Sequence, residues 1–82
     1  MRKVVYGDKK FLIIKDFKGS KAYFTVVRKN MPKKFHAHFD NMLGARMVVK
    51  IYWKQEIPKS NYLLKSLKRL CTQKELTQRK IY

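Results

Sequence analysis

Eighty-two residues carry 21 Lys and Arg against five Asp and Glu, a formal net charge of +16 at pH 7. With 45% apolar and 13% aromatic residues, the chain can build one small two-layer core, which sets it apart from a disordered polycation. The length leaves little room for a deep catalytic cavity, no apolar run approaches the roughly 18 residues of a membrane span, and a single cysteine excludes an internal disulfide.

The first forty residues read as strands. Residues 3–6 (KVVY) form a short one, stopped by Gly7-Asp8, and residues 10–17 (KFLIIKDF) a longer one rich in β-branched and aromatic side chains. Lys18-Gly19-Ser20-Lys21 is a turn cluster, and residues 22–28 (AYFTVVR) return as the second arm of an antiparallel hairpin. On that arm Tyr23, Thr25 and Val27 share one face, and Phe24, Val26 and Arg28 the other. A basic loop with Pro32 follows. Residues 35–40 (FHAHFD) then alternate as a further strand, with His36, His38 and Asp40 on one side.

Residues 41–55 fit two patterns. Read as a strand, Met47, Val49, Ile51 and Trp53 alternate with Arg46, Val48, Lys50, Tyr52 and Lys54. Read as a helix, Asp40 caps the N-terminus, Arg46, Lys50 and Lys54 line an exposed stripe, and Leu43, Met47, Val48 and Ile51 face the core. The helix is preferred, although Gly44 costs it up to about 1 kcal/mol relative to Ala.

Pro58 ends this segment, and Ser60 caps the most legible helix, residues 60–71. Its seam is Leu63, Leu64, Leu67, Leu70 and Cys71; Lys65, Lys68 and Arg69 fall opposite. Thr72-Gln73-Lys74-Glu75 has the form of a capping box, opening a short helix over 73–80 anchored by Leu76, after which the chain frays. The expected fold is a single α+β domain. A small antiparallel sheet of three to four strands (residues 1–40) precedes two to three helices packed on one face (residues 41–82).

The bases form three candidate binding groups: Arg28, Lys29, Lys33 and Lys34 at the loop, Arg46, Lys50 and Lys54 on the first helix, and Lys65, Lys68 and Arg69 on the second. Such an excess destabilises the compact state unless a polyanion relieves it, and nucleic-acid backbone is the natural one. Lys outnumbers Arg 16 to 5, which suits backbone attraction better than bidentate base reading. Tyr6, Tyr23, Tyr52, Trp53 and Tyr62 are available either to the core or to unpaired bases. His36, His38 and Asp40 have the residue types of a metal or histidine-nuclease site, but a two-residue spacing on an amphipathic strand is weak support. There is no Gly-rich phosphate loop, no Cys-x-x-Cys, no Ser–His–Asp arrangement and no paired carboxylates, so no cofactor is expected.

From His36-Ala37-His38 and Asp40-Asn41 through Ile57-Pro58, Ser60, Tyr62-Leu63-Leu64, Ser66-Leu67 and Arg69, the pattern resembles small phage and prophage proteins of low-GC Gram-positive bacteria. The resemblance implies strands followed by helices and a mobile-element source, and it carries no active site. The leading expectation is a non-catalytic nucleic-acid-binding protein, DNA or RNA, with little sequence specificity. The alternative is an anti-CRISPR-like inhibitor of a host defence complex, acting through a protein or nucleoprotein surface. The basic N-terminus lacks a signal-peptide apolar region, so a cytoplasmic protein of the bacterial host cell is expected.

Overall fold

Alternating apolar and polar residues build four strands, β1 (Lys3–Gly7), β2 (Phe11–Lys18), β3 (Lys21–Arg28) and β4 (His36–Phe39), in the computed structural model, which describes residues 2–82. Three helices follow, α1 (Met42–Lys54), α2 (Asn61–Leu70) and α3 (Gln73–Gln78). The fold is α+β, with the helices after the sheet as the residue pattern indicates.

The sheet is an antiparallel meander in the order β1-β2-β3-β4. Lys18 pairs with Lys21 across a two-residue turn, where Gly19 takes a φ of 65° that a side chain would strain. The register puts Ile13, Val26 and Ala37 in one cross-strand row, all fully or almost fully buried under the helices. Phe24 and Phe39 form a second row on that face, and Phe11 with Arg28 a third. The opposite face carries the rows Val4–Ile14–Thr25–His38 and Leu12–Val27–His36. Among the described residues no helix covers those rows, and their members are half-buried or exposed.

Helical geometry wins over 41–55, with two corrections. The cap is Asn41, not Asp40: its Oδ1 accepts from the Gly44 amide at 2.8 Å. The core face is Ala45, Val48, Val49 and Tyr52, whereas Leu43 and Met47 point outward beside Lys50 and Lys54. At about 100° per residue Met47 lies about 20° around the helix from Lys54 and about 60° from Lys50, so it cannot be buried while they are exposed. Tyr52 takes the inner place, meeting Phe11 edge-on with ring centroids 4.9 Å apart. Gly44 has a packing reason: a Cβ there would come within 3.1 Å of Phe39.

The second helix matches its pattern closely. Ser60 Oγ accepts from the Leu63 amide; Leu67, Leu70 and Cys71 are buried, and Leu63 and Leu64 are half-buried. The capping box at Thr72 and Glu75 is formed. The tail does not fray as expected. Lys80 turns left-handed at φ 61°, which lets the Ile81 amide reach Leu76 O at 2.9 Å and the Lys80 amide reach Thr77 O at 3.0 Å. That double bond is a Schellman ending, and it carries Ile81 into the core beside Leu76.

Candidate nucleic-acid interface

The cations named from the sequence separate into structural and surface residues. Arg28 belongs to the first class. Only 7% of its side chain is exposed; Nη1 donates to Glu75 at 2.9 Å and to Leu70 O at 2.8 Å, and the guanidinium lies over the rings of Phe11 and Tyr52. Arg28 is therefore withdrawn from any binding surface. Its place on the same strand face as Phe24 and Val26 is the sequence signal for this, since that face proves to be the inner one.

Glu75 is the centre of this internal network. It accepts from Arg28, from the Tyr52 hydroxyl and from the Thr72 amide. Burial pushes its carboxyl up, but those hydrogen bonds and the Arg28 charge outweigh burial and hold it at about 2. Arg79 joins from the other side, with Nη2 donating to Tyr52 O at 2.7 Å and its guanidinium 4.4 Å from the Tyr52 ring centre. Asp8 is similarly engaged: although burial raises it, donors from Tyr6, the Lys10 amide, Trp53 and the Phe11 amide keep its carboxyl low. Asp16 pairs with Arg2 at 3.6 Å. Three of the five acids are thus tied up in the fold, and Asp40 and Glu56 are the two left on the surface.

The remaining named cations are exposed but do not converge. Lys29, Lys33 and Lys34 flank the β3–β4 turn, with Lys29 Nζ donating to Asp8 O at 3.0 Å. Arg46 stacks over Tyr6 at 4.6 Å, and with Lys50 and Lys54 it lies on the outer surface of α1, in the layer opposite the open sheet face. Lys68 turns toward the C-terminus and donates to Tyr82 O at 3.2 Å.

Lys65 and Arg69 have different surroundings. They line a hollow of about 210 Å³ with Ala37, His38, Tyr62 and Ser66. His38 also lines a larger hollow, about 450 Å³, with Lys18, Lys21, Tyr23, Phe39 and Asp40. Lys18 and Lys21 reach this place because the β2–β3 turn projects them past the end of β4, a tertiary fact with no local sequence mark. On the open face His36 and His38 meet edge-to-face at 5.0 Å between centroids, and His38 meets Tyr23 at 6.0 Å. His38 is the hub of the arrangement. Burial, followed by the His36 and Arg69 charges, lowers its pKa from 6.5.

The His36, His38 and Asp40 side chains do not assemble as a ligand set. His36 Nδ1 pairs with Lys33 O at 2.7 Å, which ties the basic loop to β4, and His38 Nδ1 pairs with Thr25 Oγ1 at 2.9 Å. Asp40 lies in the bend after the strand, and among the described residues no three His, Cys, Asp or Glu side chains are grouped to hold a metal. Cys71 is buried, and burial, with the Glu75 charge adding, pushes its thiol up to about 11, away from nucleophilic use. No helix among the described residues is long and apolar enough to cross a membrane. Comparison with protein-family models, curated proteins and solved structures finds no match to this chain.

Proposed function

We propose that this chain is a small, non-catalytic nucleic-acid-binding protein that takes a single strand across the outer surface of β4. The observation that supports this most is the setting of His38. The Tyr23, His38 and His36 rings run edge-to-face between the cations Lys18 and Lys21 on one side and Lys65 and Arg69 on the other. Unpaired bases present π faces that any such ring can stack on, and the flanking ammonium and guanidinium groups suit the phosphates between them. An exposed sheet face carrying rings serves this purpose better than a convex helix, which would address a duplex groove. Arg69 is the one arginine in the set, so little bidentate base reading and little sequence preference follow. A lone, buried, unpaired thiol suits a reducing compartment, and a cytoplasmic setting is proposed on that ground. Action against a host defence complex has only the sequence resemblance behind it, so the nucleic-acid reading is preferred.

Fluorescence anisotropy with a labelled single-stranded DNA, a single-stranded RNA and the matching duplex tests this directly. If about five phosphates are neutralised, the slope of log K against log salt is near −3.5 for the single strands. Joint replacement of Lys65 and Arg69 by Gln should weaken binding roughly tenfold or more and shorten the slope by about 1.4. A salt-insensitive affinity, or one unchanged in that variant, rules the reading out.

A further inference from the structure

We infer that the outward stripe of α1 is a second binding surface, which docks an acidic amphipathic helix of a partner protein. It does not rest on the β4 reading, since it uses different residues, on α1 and the α1–α2 connection rather than on the open sheet face and the Lys65–Arg69 side of α2. Leu43, Met47, Lys50 and Lys54 recur at i, i+4, i+7 and i+11, so they form one line opposite the buried Ala45, Val48, Val49 and Tyr52. Leu43 is 71% exposed and Met47 41%. Past the end of α1, Ile57 adds a further apolar side chain at 55%. With a core this small, leaving three large aliphatic side chains in water on one surface forgoes stabilisation, and contiguous exposure of that kind marks an interaction site.

The stripe stands as a ridge between two grooves. One, about 750 Å³, runs between α1 and the start of α2, floored by Ile51, Pro58 and Leu63; the other, about 470 Å³, runs along α1 itself, bounded by its own Trp53 ring and by Tyr6 of β1. A ridge flanked by grooves, with spacing of 4, 3 and 4 residues, is the shape a second helix packs against, its own ridges entering the grooves. The rims carry Arg46, Lys50, Lys54 and Lys59 against the single Glu56, so the matching helix places carboxylates around an apolar seam.

Charge and shape also decide against other occupants. A second copy of this chain would bring its own Lys50 and Lys54 onto the stripe, with +16 on each partner. Nucleic-acid backbone offers nothing apolar to cover Leu43 and Met47. A bilayer is flat and fills neither groove.

The test is an NMR titration of the ¹⁵N-labelled full chain with two synthetic peptides of one composition. One is a helix of about five turns with leucines at i, i+4, i+7 and i+11 flanked by glutamates; the other is scrambled to break the stripe. Expected are shifts confined to Tyr6 and residues 42–63, a roughly tenfold weaker affinity for the scrambled peptide, and a similar loss in the Leu43→Ser, Met47→Ser double variant. Both positions are exposed, so the variant should keep its melting temperature and its affinity for a single-stranded oligonucleotide. No binding, equal binding of the scrambled peptide, or binding untouched by the double variant overturns the proposal. So does stronger perturbation of residues 42–57 by the oligonucleotide or by phosphatidylserine vesicles, which would assign the stripe to nucleic acid or to membrane.

Discussion

The Arg28 guanidinium at the end of β3 lies 2.9 Å from the Glu75 carboxylate at the start of α3, joining positions 47 residues apart. The same Glu75 oxygen accepts from the Thr72 amide at 2.8 Å, so the capping box that starts α3 is also the anchor that holds it to the sheet. Removing either partner strands the other's charge in a largely buried place. Arg28→Met should therefore lower stability by about 3–5 kcal/mol, read from urea denaturation, far more than the loss of a surface ion pair. A cost below about 1 kcal/mol would show that the pair is solvated in solution.

The pH dependence follows from the same carboxylate. Glu75 is held at about 2 against an ordinary value of 4.5, so the unfolded chain binds its proton more readily than the folded one. Its contribution is complete above about pH 4.5 and is lost as the pH falls toward 2. The full shift amounts to on the order of 3 kcal/mol. Asp8, also lowered, adds in the same direction. The melting temperature should thus drop steeply between pH 4.5 and pH 2, and in Glu75→Gln the drop should be shallower from a lower starting point. Parallel curves for the two proteins would refute the assignment.

These two residues mark where the sequence stops being legible. Periodicity sees one face at a time, so the strands, α2 and the capping box could be read from local patterns such as Ser60 before the leucine seam. It cannot see that Arg28, on the inner face, has a carboxylate waiting 47 residues away, and composition then counts Arg28 among the binders. The candidate site was legible only in parts. Lys65, Arg69, His36 and His38 stood out singly, whereas Lys18 and Lys21 join them because a turn brings β2 and β3 past β4. On α1, a strand pattern competed with a helix capped by Asp40 and turned inward at Leu43, Met47, Val48 and Ile51; Asn41 takes the cap, and Tyr52, packed against Phe11, takes the inner place.

Gly44 offers a sharper check on that helix. Its replacement by Ala at a solvent-facing helical site should stabilise by up to about 1 kcal/mol. Here the added Cβ meets Phe39 at 3.1 Å, and Phe39 is itself 2% exposed and cannot retreat into solvent. Overpacking should cancel or reverse the gain, so Gly44→Ala should melt at or below the parent temperature. A clear rise in melting temperature would mean that β4 and α1 are looser than this contact implies.

His38 connects protonation to the proposed binding surface. Its pKa is lowered by burial and by the nearby His36 and Arg69, while its other neighbours are Tyr23, Thr25, Tyr62, Lys65 and Asp40. In the free protein the imidazole should titrate below 6.5, and because the folded state resists that proton, this residue's contribution to stability declines as the pH falls below 6.5. A phosphate set between His38 and Arg69 reverses the local balance: it offsets the cations and favours the imidazolium. Binding should then take up a proton, and affinity should rise as the pH is lowered from 7.5 toward 6, by up to about tenfold per unit of His38 shift. NMR titration of the His38 ring with and without a single-stranded oligonucleotide measures both midpoints, and His38→Gln should remove the pH dependence while retaining most of the salt dependence. An identical midpoint in the free and bound protein would take His38 out of the interface and move the search for phosphate contacts to the lysines of the β3–β4 turn.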